Sequence, residues 1–265
     1  MAPLDSARAK LARATKHLHT LEEVVPAFLR EHDYPVVHEV DRAAFYHRWK
    51  VELGTPFPEC WALVIGDMAH NMRSALDHIA WELAGSDPAD TWTQFPIYAE
   101  ETKFAQAGRV VKTIPKRPLA LIKWLQPYRR PNPYDDRLWT IHALDAEDKH
   151  KTITILLAAM VETEYFPVAP TPSRVQHEVT FTFGPFDPSI KDAVIAEGRL
   201  MASPLDGSPA HTDVEMNFQP TFGIAIRADS AGITWLPGLV VLHEALACAW
   251  QVWEWSSRYA DPYKR

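Results

Sequence analysis

Apolar residues recur at three- and four-residue steps through the first half of the chain, and a two-residue alternation takes over in much of the second half. Between Asp5 and about Glu31, Leu11, Leu18, Leu21, Val25 and Phe28 keep helical spacing behind Asp5 or Ser6 as a cap. Pro26 predicts a kink or break near the end of that helix. Tyr34 to Val40 and Phe45 to Leu53 alternate and carry Val, Tyr, Phe and Trp, which predicts a short hairpin turning at Asp41-Arg42-Ala43. A second helix is expected from Pro58 to Ala84. Its Trp61, Ile65, Met68, Met72, Leu76, Ile79 and Leu83 form one narrow core stripe. Residues 85–134 read as a Pro-rich connector with a helix around Pro118 to Leu125. Asp135-Asp136 opens a further helix through about Lys149, with two acids at its positive end.

Beyond Ile153 the period becomes that of a strand. Thr152 to Phe166, Val175 to Phe183, Glu215 to Arg227 and Gly232 to Trp235 are rich in Val, Ile, Thr and Phe and bounded by Pro and Gly, which predicts an antiparallel sheet. Pro167 to Pro172 and Ser203 to Asp213 read as turns or connections. Pro237-Gly238 leads into a last helix to about Tyr259, with Leu239, Leu242, Leu246, Trp250 and Trp253 as its apolar face. The expected architecture is α+β: an N-terminal helical bundle with a short β-hairpin (1–151), an antiparallel sheet (152–236) and a C-terminal helix (237–265) packing back on the helical domain.

Composition narrows the function classes. With 265 residues and 47% hydrophobic content the chain can build a sizeable core. A formal charge of −7 argues against a dedicated duplex-DNA binder. Cys60 and Cys248 both sit in apolar helical context, which predicts buried thiols rather than a disulfide, and a reducing cytoplasm. The first ten residues are polar and charged, and no 18-residue apolar run occurs, so a cytoplasmic protein without a membrane span is expected.

The polar side of the second helix crowds together Asp67, His70, Asn71, Arg73, Ser74, Asp77 and His78, where a solvated helix would show Lys and Glu. Arg73 and His78 are five residues apart, so roughly 140° separates their directions. A second copy of the helix docked by a twofold axis would bring them together, which predicts a homodimer.

The run Arg73-Ser-Ala-Leu-Asp-His78 resembles the arginine–spacer–histidine signature of the HEPN superfamily, small helical dimeric proteins of which many are metal-independent RNases in toxin–antitoxin and phage-defence systems. The wider run His70-Asn-Met-Arg-Ser-Ala-Leu-Asp-His78, with the later Asp148-Lys-His150, is also similar to a group of bacterial proteins. The family is all-helical, so the strand-rich stretch lies outside the resemblance. What it implies is an endoribonuclease without a cofactor, with Arg73, His78, Asp77 and Ser74 as catalytic residues. His78 would move the 2′-hydroxyl proton and Arg73 would fork onto phosphate oxygens. Ser74, Asn71 and His70 would contact the substrate, and Asp77 would orient His70 or hold Arg73.

Rival readings come from other residues. His142, Asp145, Asp148 and His150 close the helix before the sheet, and with His70 or His78 they suggest a metal-dependent hydrolase on His70, His78 and His150. No HExxH or CxxC spacing supports it, and a basic cluster answering the helix dipole explains the same residues. A non-enzymatic binding or regulatory module is the third reading. From Thr102 to Tyr134 the chain holds Lys103, Arg109, Lys112, Lys116, Arg117, Lys123, Arg129 and Arg130 and no acid, with Trp124 and Tyr128 interleaved. Lys116, Arg117, Lys123, Trp124, Arg129 and Arg130 are therefore expected to meet RNA or a nucleotide.

Overall fold

The computed structural model describes residues 4–85, 92–161, 166–168, 173–181, 185–186, 192–213, 215–217, 220–228 and 233–260. In chain order these form α1 (Asp5–Glu31), β1 (Val36–Asp41), β2 (Tyr46–Glu52), α2 (Cys60–Leu83), α3 (Glu101–Gln106), α4 (Gly108–Val111), α5 (Lys116–Leu125), α6 (Arg137–His150), β3 (Thr154–Val161), β4 (Phe166–Val168), β5 (Ser173–Phe181), β6 (Pro185–Phe186), β7 (Asp192–Pro204), β8 (Glu215–Asn217), β9 (Pro220–Ala228), β10 (Ile233–Pro237) and α7 (Gly238–Ala260). The chain is α+β, as its periodicities predict. Of the expected features, residues 169–172 of the Pro-rich stretch, residues 162–165 and 182–183 of two strands, and residues 218–219 and 232 lie outside the described ones.

Two units share the chain. One comprises Met1–Glu23, Pro58–Thr154 and Ile226–Arg265; the other comprises Val24–Phe57 and Ile155–Ala225. In the first, α2 packs against α6 and α7, and α6 against α7. Every residue of the predicted α2 stripe is buried, and so are Ala62, Gly66, Ala69, Ala75 and Ala80. Small residues on those added positions let two partner helices approach one helix from different sides. The last helix does pack back on the first: Trp250 Nε1 donates to Thr15 Oγ1 (3.4 Å) and Trp253 Nε1 to the Leu4 carbonyl (3.3 Å). Asp136 caps α6, its Oδ1 accepting the Leu138 N–H at 2.9 Å. Pro26 lies inside α1, which continues to Glu31.

The second unit holds a four-stranded antiparallel sheet ordered β1-β2-β7-β5. Its core gathers Trp49, Val51, Ile195, Leu200 and Ala202 with Tyr34 and Leu157. A further sheet runs β9-β3-β6, with β10 beside β9, and β4 pairs with β8. The hairpin forms as predicted, its turn fixed by Asp41 Oδ1, which accepts the N–H groups of Ala43 (3.0 Å) and Ala44 (3.2 Å). It groups with the sheet and not with the helices, because the free edge of β2 pairs along its whole length with β7. That 13-residue strand escapes sequence reading, since Glu197-Gly198-Arg199 interrupts its alternation. Glu197 is there to bind Arg48 Nε of β2 at 3.0 Å.

Candidate functional site

The first unit concentrates charge where α2 meets α6. Gly66 opens that contact: a Cβ there would stand 2.0 Å from Asp148 Oδ1, so only a residue without a side chain admits the Asp148 carboxylate over α2. One turn along, His70 Nδ1 lies 3.2 Å from Asp145 Oδ1, and Lys149 Nζ donates to Asp145 Oδ2 at 2.6 Å. The Asp145 side chain is 5% exposed and that of His70 is 54% exposed. A buried carboxylate thus holds one nitrogen of an imidazole whose other side faces outward. An ionised Asp145 can only accept, so it fixes the proton of a neutral ring on Nδ1 and leaves the Nε2 lone pair outward.

Electrostatics ties further groups into the same face. Burial raises the Asp148 carboxyl above the ordinary aspartate value, and the charges of Asp67 and Asp145 add to this, while His70 opposes it. Burial lowers the His142 imidazole, and the Arg73 charge lowers it further. His142 packs obliquely on Trp139, ring centroids 5.2 Å apart.

Arg73 and Asp77 are occupied with each other and with the connector. Asp77 Oδ1 accepts Arg73 Nη2 (2.9 Å) and the Phe95 N–H (2.9 Å), while Arg73 Nη2 also donates to the Phe95 carbonyl (2.8 Å). Both backbone groups of the buried Phe95 are thereby satisfied by one i,i+4 pair of α2. Burial raises the Asp77 carboxyl, with Arg73 and the Phe95 N–H pulling it down. A second clasp, which sequence reading missed, is the fully buried Gln126: its amide nitrogen donates to Pro96 (2.8 Å) and Ile122 (3.1 Å) carbonyls, and its oxygen accepts the Tyr98 N–H (3.1 Å). The only signal was a polar side chain directly before a proline.

The remaining predicted residues disperse. His78 Nδ1 is 3.0 Å from Ser6 Oγ of α1, so it joins two helices and does not meet Arg73 within the chain. Asn71 is buried, its Nδ2 donating to the Asp67 carbonyl of its own helix at 2.6 Å. Ser74 is half-buried, and His150 is exposed at the end of α6. Among the described residues no group of three or more His, Cys, Asp or Glu is placed to hold a metal ion, so His70, His78 and His150 do not gather into a centre. His243 pairs with Glu22 of α1 (2.6 Å), and Arg137 with Glu244 (2.5 Å). Cys60 is exposed, contrary to the expected buried thiol, because it is the first residue of α2 and precedes the buried stripe. Cys248 is half-buried, and burial pushes its thiol up to about 12. Both are free.

In the basic segment, Arg129 lies over the Tyr128 ring (5.6 Å) and Arg130 over Trp124 (5.8 Å), with Arg130 Nε also on Asp136 (3.0 Å). Lys103 pairs with Glu100 at 2.7 Å. Lys116, Arg117 and Lys123 are exposed, and Trp124 is 55% exposed with its ring edge-on to Trp255. No helix among the described residues is long and apolar enough to cross a membrane. Compared with known proteins, the chain matches no family model, no curated protein and no solved structure.

Proposed function

We propose that this protein binds RNA or a nucleotide and transfers protons on it without a metal, with His70 as the base and Asp145 as the group that positions it. The His70–Asp145 pair carries the reading: a buried, charge-assisted carboxylate orients an imidazole that stays open to solvent. For RNA, His70 Nε2 would take the 2′-hydroxyl proton as that oxygen attacks phosphorus, and the 5′-oxygen would leave with a proton. Asp148, raised by burial and by the charges of Asp67 and Asp145, is the nearby carboxyl suited to give that proton. Lys149 supplies a cation next to the pair. The substrate class follows from the exposed cations and Trp124 on α5 and from the HEPN-like run on α2.

The resemblance alone would put the chemistry on Arg73 and His78, completed by a twin subunit. One assay separates the two assignments: cleavage of a labelled RNA in EDTA by the full chain and by His70→Ala, Asp145→Asn, Arg73→Ala and His78→Ala. Loss of about 10²- to 10⁴-fold in His70→Ala, with His78→Ala near wild type, is the expected result. The reverse ranking transfers the chemistry to the Arg73–His78 motif. Undiminished cleavage by all four removes the site.

A further inference from the structure

Lys116 and Arg117 begin α5 at the wall of a cavity of about 320 Å³, closed elsewhere by Leu83, Pro118, Arg258 and Tyr259. Among the described residues three cations line it, and no acid does. Most other basic side chains described in this segment are committed: Lys103 to Glu100, Arg129 to Tyr128, Arg130 to Asp136 and Trp124. Lys116 and Arg117 differ, having no ion pair or hydrogen-bonded side-chain partner among the described residues. Among the described residues Arg258 pairs with Glu254 at 3.6 Å, both side chains about two-thirds exposed (67% and 65%).

Backbone chemistry adds to the positive field. The cap position of α5 is Pro115, which offers no side-chain acceptor, so no side chain caps the helix start carrying the N–H groups of Lys116 and Arg117. Tyr259, 39% exposed, adds an aromatic surface. The volume lies at the small end of ligand pockets, the size range of one nucleotide. Uncommitted cations around a concave wall favour a dianion, and an aromatic ring among them favours a base.

We infer that this cavity binds a nucleoside phosphate, its phosphate on Lys116, Arg117 and Arg258 and its base against Tyr259. The site is separate from the His70–Asp145 pair and does not depend on that pair being catalytic. The shared chemistry has two sources, a free mononucleotide and the phosphorylated end of a strand.

Calorimetric titration of the full chain with 5′-AMP, adenosine and inorganic phosphate tests the inference. A short RNA bearing either a 5′-phosphate or a 5′-hydroxyl is titrated in the His70→Ala background, so that strand cleavage does not intrude. AMP is expected to bind, phosphate to compete with it and adenosine to fail. Lys116→Gln/Arg117→Gln should weaken AMP by at least about tenfold. Tyr259→Ala should weaken AMP while sparing inorganic phosphate. All three positions lie on the surface, and circular dichroism verifies the fold of each variant. Tighter binding of the phosphorylated strand than of AMP identifies a strand end as ligand, and equal binding identifies the mononucleotide. Adenosine binding as well as AMP, an unchanged double variant, or no binding by either AMP or the phosphorylated strand overturns the inference.

Discussion

Arg73 shows how one side chain can read as chemistry in a sequence and act as architecture in a fold. Its guanidinium, 11% exposed, closes a ring of hydrogen bonds with Asp77 and both backbone groups of Phe95. Arg73→Ala would leave the Phe95 carbonyl and the Asp77 carboxylate short of a donor, a loss of about 1–3 kcal/mol in urea unfolding. Arg73→Ala/Asp77→Ala should cost less than the sum of the single changes, because each single leaves a partner stranded. An additive cycle would show that the ring has no energetic reality. The composition of the site was legible: imidazole, carboxylate and guanidinium on one helix face announced a polar contact. Its pairing was not. Nothing local tells that His70 turns to Asp145, 75 residues away, or that His78 turns to Ser6. Helical spacing fixes directions around an axis, and partners come from whichever helix packs there.

Two glycines set the distances between helices and between strands, and they should respond differently to a methyl group. At Gly66 an added Cβ meets Asp148 Oδ1 at 2.0 Å and Cγ at 2.4 Å, atoms at the tip of a side chain that can rotate away. At Gly198 it meets the Glu178 carbonyl oxygen at 2.0 Å and Val179 Cα at 2.7 Å, which are backbone of the paired strand β5. Gly198 also has φ +157°, next to the β5 backbone, where the pairing leaves no room for a side chain. Gly198→Ala should therefore destabilise strongly, and no neighbouring substitution should rescue it. Gly66→Ala should be rescued in part by Asp148→Ala, with a coupling of about 1 kcal/mol in denaturant unfolding. Equal penalties with no rescue would mean that the α2–α6 spacing is set elsewhere. The longer helices α1, α2, α5, α6 and α7 were legible to within a few residues because apolar stripes and the Asp136 cap are local signals, whereas the short α3 and α4 were read as connector. Strand β7 was not, since its central Glu197-Gly198-Arg199 answers neighbours on β2 and β5 rather than a solvent–core alternation.

Over the chain as a whole, buried titratable groups give stability a dependence on pH. Burial lowers His142 in the helical unit and His47 in the sheet unit, where the His47 ring shares a 2.9 Å hydrogen bond with His38. A depressed imidazole takes up fewer protons folded than unfolded. The stability from the neutral rings is full above the unfolded value of 6.5 and is lost as pH falls through the lower folded values. Asp77 and Asp148 act in the opposite sense: raised above 3.8, they favour the fold at low pH and lose that contribution as pH rises through their folded values. The urea midpoint is expected to drop between pH 7 and pH 5.5, and His142→Gln should flatten part of that drop. A flat wild-type profile would contradict the buried, neutral state of both rings. Domain boundaries were the least legible feature at this level, because a contiguous reading placed β1 and β2 with the helices nearest them in sequence. The interleaved path also bears on how the protein is made. The apolar face of α2 packs on α7, which is synthesised only after all of the chain between Leu83 and Gly238. At roughly 5–20 residues per second, the nascent helix stays uncovered for on the order of ten seconds or more. During that interval its greasy stripe is available to chaperones, which makes early synthesis, rather than the finished fold, the stage most exposed to misassociation.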